Sequence, residues 1–135
     1  MLKTVFLTLI GSALVIFSTF FVPQVTELFR GPAFLILWAS FSLLGLLLIS
    51  LTRKEKIKGR LRKYLLLTGG SAAGFLISVV LHNLLYALAI IFQPVYVLSK
   101  LMEVFHGIFF LIATLACPIG FLIGALQSVL EFKKR

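Results

Sequence analysis

Aspartate is absent from this chain of 135 residues, and only four glutamates stand against 13 lysines and arginines. The one cysteine, Cys117, has no partner for an internal disulfide and no second thiol with which to bind a metal. It reads as a small buried hydrophobe. Charge of either sign is scarce: 13% of residues, where soluble domains carry roughly 25%. Hydrophobic residues reach 61%, against the roughly 45–50% of an ordinary soluble domain. These shortages exclude a soluble globular domain, a disordered chain and a disulfide scaffold. Catalytic patterns are missing too. The sequence has no His-Glu-x-x-His, no Cys-x-x-Cys, no Walker loop and no carboxylate pair within an apolar run. Gly69-Gly70-Ser71 opens a hydrophobic helix and lacks the lysine spacing of a phosphate loop. The expectation is a protein that is not an enzyme.

What the sequence does contain is four long apolar runs. Crossing the hydrocarbon core takes about 20 mostly apolar residues. Thr4–Val22, Pro32–Leu51, Tyr64–Phe92 and Val104–Leu130 each meet that demand and hold no Asp, Glu, Lys or Arg. They are continuously apolar rather than alternating, which excludes the strands of a membrane β-barrel. The predicted fold is therefore all-α, a polytopic bundle of four transmembrane helices forming one membrane domain over residues 1–135. No small-residue cleavage site precedes Pro23, so the first run reads as a retained span rather than a signal peptide. The apolar piece Pro94–Lys100 reads as a separate interfacial helix between the third and fourth spans. Pro118 within the fourth span predicts a kink.

Charge sets the orientation. Residues 52–63 form a basic loop with Arg53, Lys54, Lys56, Lys58, Arg60, Arg62 and Lys63 against Glu55 alone. Lys3 lies at the N-terminus, and Lys133, Lys134 and Arg135 at the C-terminus. The other two loops balance, Glu27 with Arg30 and Lys100 with Glu103. Under the positive-inside rule the termini and the basic loop are cytoplasmic. So strong a bias weighs against a dual-topology transporter, which needs nearly balanced loop charge. The seven cations also predict contact with anionic lipid headgroups, at roughly 1 kcal/mol each near the surface. No aromatic residue is interleaved between Arg53 and Lys63, so a base-stacking platform is missing and nucleic acid is not an expected partner.

Small residues mark faces that pack, because lipid offers no hydrophobic drive for helix association. Ala116, Gly120, Gly124 and Ser128 form one stripe on the fourth span, and Gly70, Gly74 and Ser78 another on the third. The two are expected to meet, with a homodimer or a partner subunit as the other use of such a face. Ser42 and Gly45 on the second span, and Thr8, Gly11, Ser12 and Ser18 on the first, are weaker signals.

Polar residues inside a membrane are functional candidates. His82, Asn83, Tyr86, Glu103 and His106 gather in the outer half of the bundle. With the fourth span starting at Val104, His106 sits close to the surface and is offset vertically from the deeper His82. The set admits several uses. The histidines hydrogen-bond between helices, form a proton or polar-solute path, hold a metal with Glu103, or ligate a b-type haem from both sides. Gly70, Gly74 and Ser78 meet the haem's need for a slot of small residues only in part. No metal or other cofactor is expected.

The stretch KIKGRLRKYLLLTGGSAAGFLISVVLHNLLY at Lys56–Tyr86, with CPIGFLIG at Cys117–Gly124, resembles a family of small four-span integral membrane proteins of bacteria and archaea that has no assigned activity. The resemblance covers roughly the last two-thirds of the chain and leaves out the first span. It implies the four-helix architecture and a prokaryotic cytoplasmic (inner) membrane, and it implies nothing about activity. The leading expectation is a non-enzymatic subunit or scaffold that packs against other membrane proteins or copies of itself. Transport and a haem-bearing anchor are the alternatives.

Overall fold

A computed structural model describes residues 1–134. Its elements are α1 (Leu2–Phe21), α2 (Pro23–Leu28), α3 (Pro32–Lys54), α4 (Gly59–Ile91), α5 (Tyr96–Leu111), a π-helical turn (Ile112–Ala116) and α6 (Cys117–Lys133). There is no strand among the described residues. Four helical segments are long and apolar enough to cross a membrane: α1, α3, α4 and the continuous run Tyr96–Lys133. The chain is thus an all-α, multi-pass bundle.

Local chemistry sets the breaks. Val22 is extended, and Pro23 then occupies the first turn of α2, where its missing N–H costs nothing. The Thr26 hydroxyl ties α2 back to α1 through the Thr19 carbonyl at 2.5 Å. Gly31, at φ +64°, turns the chain into α3, which again begins on a proline. At the other end of α3 the helix stops in the basic segment, where Lys56 adopts φ +49° and Gly59 φ +73°. Only Glu55–Lys58 lies between helices. Arg53 and Lys54 close α3, while Arg60, Arg62 and Lys63 belong to the first turns of α4, and all seven cations of the segment are exposed. They share one end of the bundle with Lys3, Lys133 and Lys134, the basic end. The α2 link and the α4–α5 link occupy the other, neutral end. There Glu27 pairs with Arg30 at 3.6 Å and Glu103 with Lys100 at 2.6 Å.

The fourth span differs from the sequence expectation. Pro94–Lys100 is not a separate interfacial helix, because α5 runs unbroken from Tyr96. Lys100 and Glu103 are three residues apart and neutralise each other on the exposed surface, so the helix continues through them. The kink expected at Pro118 takes the form of the π-helical turn just before it. Proline lacks an N–H and its ring crowds the carbonyl four residues back, here Thr114. Widening the turn over 112–116 relieves that clash.

α4 is the hub and packs against α3 on one side and α5 and α6 on the other. Glycine allows both approaches. A Cβ on Gly45 of α3 would lie 2.7 Å from the Gly69 carbonyl oxygen, and one on Gly69 equally close to that of Gly45. Ser42 bridges the same pair of helices by donating to the Ala72 carbonyl at 2.9 Å. Opposite, a Cβ on Gly124 would meet the Thr68 hydroxyl at 2.6 Å and its backbone nitrogen at 2.8 Å. Gly120 sits over Ser71 in the same way, and Ser128 is fully buried. Gly74 lies beside the Cys117 sulfur and Ser78 is buried. Gly70 and Ala116, expected in this contact, both face outward instead. The groove on α4 that receives α6 is formed by Tyr64, Leu67, Thr68 and Ser71, one register step from Gly70, while Gly69 serves α3.

α1 packs chiefly on α3, where Phe6, Leu9 and Ile16 join Phe41, Leu48 and Leu51 in the core. It meets α6 at the basic end. There the Phe6 and Phe132 rings lie 5.4 Å apart and the Lys3 ammonium sits 5.5 Å from the centre of Phe132.

Candidate functional site

Two features stand out: a histidine pair between α4 and α5, and an apolar cleft between α1 and α6.

His82 is nine residues before the end of α4, about 14 Å below it at 1.5 Å per residue. His106 is ten residues into α5, about 15 Å deep. The offset predicted from a fourth span starting at Val104 therefore vanishes, because the helix starts at Tyr96. The two rings stack with centroids 4.2 Å apart and planes 22° from parallel. His82 Nδ1 lies 3.1 Å from the His106 carbonyl oxygen. That oxygen only accepts, so His82 donates through Nδ1. Phe110 packs 5.4 Å from His82, and the half-exposed Tyr86 ring lies 5.3 Å from His106.

His82, Tyr86 and His106 thus come together. Asn83 does not join them: it is exposed, and its amide donates to the Val79 carbonyl of its own helix at 2.8 Å. Glu103 is exposed and paired with Lys100. With Glu103 turned away, the proposed histidine–glutamate metal set is not assembled; no three His, Cys, Asp or Glu side chains converge among the described residues. The haem alternative fits no better. Two axial imidazoles must point end-on at an iron from opposite faces of a porphyrin. Here the rings lie flat on each other, with no slot between them.

The second feature escaped the sequence reading. Away from the Phe6–Phe132 contact, α1 and α6 part and leave a cleft of about 590 Å³. Phe17 and Phe20 of α1 form one wall, and Pro118 and Leu122 of α6 the other. Trp38 of α3 and Phe75 of α4 floor it, stacked at 4.2 Å with planes 17° apart. The lining is almost wholly apolar; Ser71 and Cys117 belong to it, and the Trp38 indole nitrogen is buried without a hydrogen-bond partner. Phe20 also borders a smaller hollow of about 240 Å³ at the neutral end, formed with Phe21, Pro23, Thr26, Glu27 and Arg30. The two spaces thus share the Phe20 side chain in their linings. A sequence clue did exist in the aromatics of α3, α4 and α6, namely Trp38, Phe41, Phe75 and Phe121. Residue spacing, however, says which side chains share a face and nothing about how far two helices diverge.

A scan against protein-family models, a search of curated proteins and a search of solved structures returned no match to this chain.

Proposed function

We propose that this protein is a non-enzymatic membrane component, a subunit or scaffold of the prokaryotic cytoplasmic membrane that works by binding an apolar partner across the seam between α1 and α6. The observation that carries the reading is the cleft of about 590 Å³ in a bundle otherwise packed to glycine contact. Interiors fill their space closely. A cleft lined almost wholly by apolar side chains stays open only where something outside the chain fills it. The partner classes are a neighbouring membrane protein, a second copy of the chain and a lipid. The basic end faces the cytoplasm under the positive-inside rule, and its cations engage anionic headgroups.

The test places a photo-reactive side chain at Leu122, on the cleft wall, and separately at Ile77, exposed on α4, in cells. A defined adduct formed at Leu122 and not at Ile77 is expected. Equal, heterogeneous labelling at both positions refutes the proposal.

The stacked histidines support a second reading, a short path for protons or small polar solutes. It requires that liposomes carrying the protein dissipate a proton gradient, and that His82→Leu stop the leak. Vesicles that stay tight with the unaltered protein dispose of it.

A further inference from the structure

We propose that the seam is a lipid site: a hydrocarbon chain of a zwitterionic phospholipid enters the cleft, and its headgroup rests on Arg30 and Glu27. This rests on the reading of the seam as the binding face and names the occupant.

Size comes first. A crossing helix about 10 Å across and about 30 Å long fills on the order of 2,400 Å³. The cleft offers about 590 Å³, within the roughly 300–1,000 Å³ of small-molecule pockets. A partner helix does not enter it, whereas an extended chain does. Chemistry comes next. The walls supply almost nothing to hydrogen-bond, so the buried part of the occupant is hydrocarbon.

The third observation is continuity. Phe20 lines both the cleft and the polar hollow, so the charged groups of the hollow lie one side chain away from the apolar lining. Those groups are one cation and one anion. The Arg30 and Glu27 side chains are 75% and 70% exposed and only loosely paired at 3.6 Å. A guanidinium matches a phosphate through paired N–H donors. A carboxylate beside it matches an ammonium. The Thr26 hydroxyl donates to the Thr19 carbonyl of α1, and Thr26 lines the same hollow. An anionic headgroup would satisfy Arg30 and be repelled by Glu27. A headgroup carrying both charges, such as phosphoethanolamine, satisfies both. The lipid belongs to the leaflet at the neutral end, where the protein offers no excess positive charge.

Trp38 is the single tryptophan and floors the cleft, so it reports the occupant directly. The protein is reconstituted in phosphatidylglycerol vesicles containing a rising fraction of chain-brominated phosphatidylethanolamine, and tryptophan quenching is followed. The reference is Leu35→Trp in a Trp38→Phe background, a position 70% exposed that senses bulk lipid. Trp38 is expected to reach half-quenching at about a tenfold lower brominated fraction than the reference. Arg30→Gln, with helicity unchanged, is expected to bring the two curves together. Coincident curves in the unaltered protein mean that only bulk lipid enters; they overturn this inference, while the binding seam itself stands or falls by the cross-linking at Leu122. A Trp38 that resists quenching throughout means that a second copy of the chain covers the seam, which overturns the lipid and leaves the seam standing. Stronger quenching by brominated phosphatidylglycerol in the reverse mixture overturns the headgroup assignment.

Discussion

The two sides of the bundle are built on opposite terms. Around α4, backbone meets backbone: Gly45 faces Gly69, and Gly124 lies on Thr68, with no room for a methyl group. Along the α1–α6 seam, large aromatic side chains stand off one another and enclose empty space. In a bilayer both are stable for the same reason. Lipid is as apolar as leucine, so helices associate only where close packing and hydrogen bonds favour protein over lipid. Small residues secure that advantage between α3, α4 and α6. Aromatic rings on α1 and α6 do not interlock as closely and leave the cleft between them.

The largest expected effect breaks the tight side. Gly45→Leu forces side-chain atoms into the α4 backbone, where no rotamer gives relief, and should cost about 3 kcal/mol or more. Reversible unfolding in mixed detergent micelles measures it; a variant within 1 kcal/mol of the parent, as an order-of-magnitude bound, would contradict the close approach. Gly124→Val comes next at about 2 kcal/mol, since the Thr68 side chain can rotate away but its backbone nitrogen cannot. Removing a single interhelical hydrogen bond costs less. Ser42→Ala and His82→Leu are each expected to lose about 0.6 kcal/mol, the first loosening α3 from α4 and the second α4 from α5. Smallest are changes on open surfaces. Ala13→Phe, which fills part of the cleft, and Gly70→Ala, which meets nothing within 4 Å, should both stay within about 0.5 kcal/mol of the parent. Should Ala13→Phe prove as damaging as Gly45→Leu, the contrast between the two sides would collapse.

The four spans were legible because charge is expelled from the bilayer core and so brackets each crossing. The same logic put the fourth boundary at Lys100 and Glu103, yet their mutual pairing lets the helix run through them from Tyr96. Counted from that boundary His106 stood offset from His82, whereas the two rings stack. The convergence of His82, Tyr86 and His106 did not depend on that boundary, because four-residue spacing on α4 places His82 and Tyr86 on one face whatever the limits of α5. Asn83 lies a quarter-turn away and satisfies itself on Val79, a pairing no spacing rule excludes in advance. Gly69 was passed over as part of an imperfect phosphate turn, although its use is to let α3 approach. The glycine stripe on α6 identified the α4 contact but not the register in which α4 receives it.

The π-helical turn has a further consequence, for membranes of different thickness. The segment Tyr96–Lys133 holds 38 residues, about 57 Å of helix, while the hydrocarbon core is about 30 Å deep. A straight rod of that length matches a thin bilayer only by tilting as a whole, which would drag Gly120 and Gly124 off α4. The wide turn falls near the middle, between the 16 residues of α5 and the 17 of α6. The turn lets the two halves take different inclinations while both stay seated on α4, α5 through His82 and α6 through Gly120 and Gly124, so the excess length is not met by tilting one straight rod.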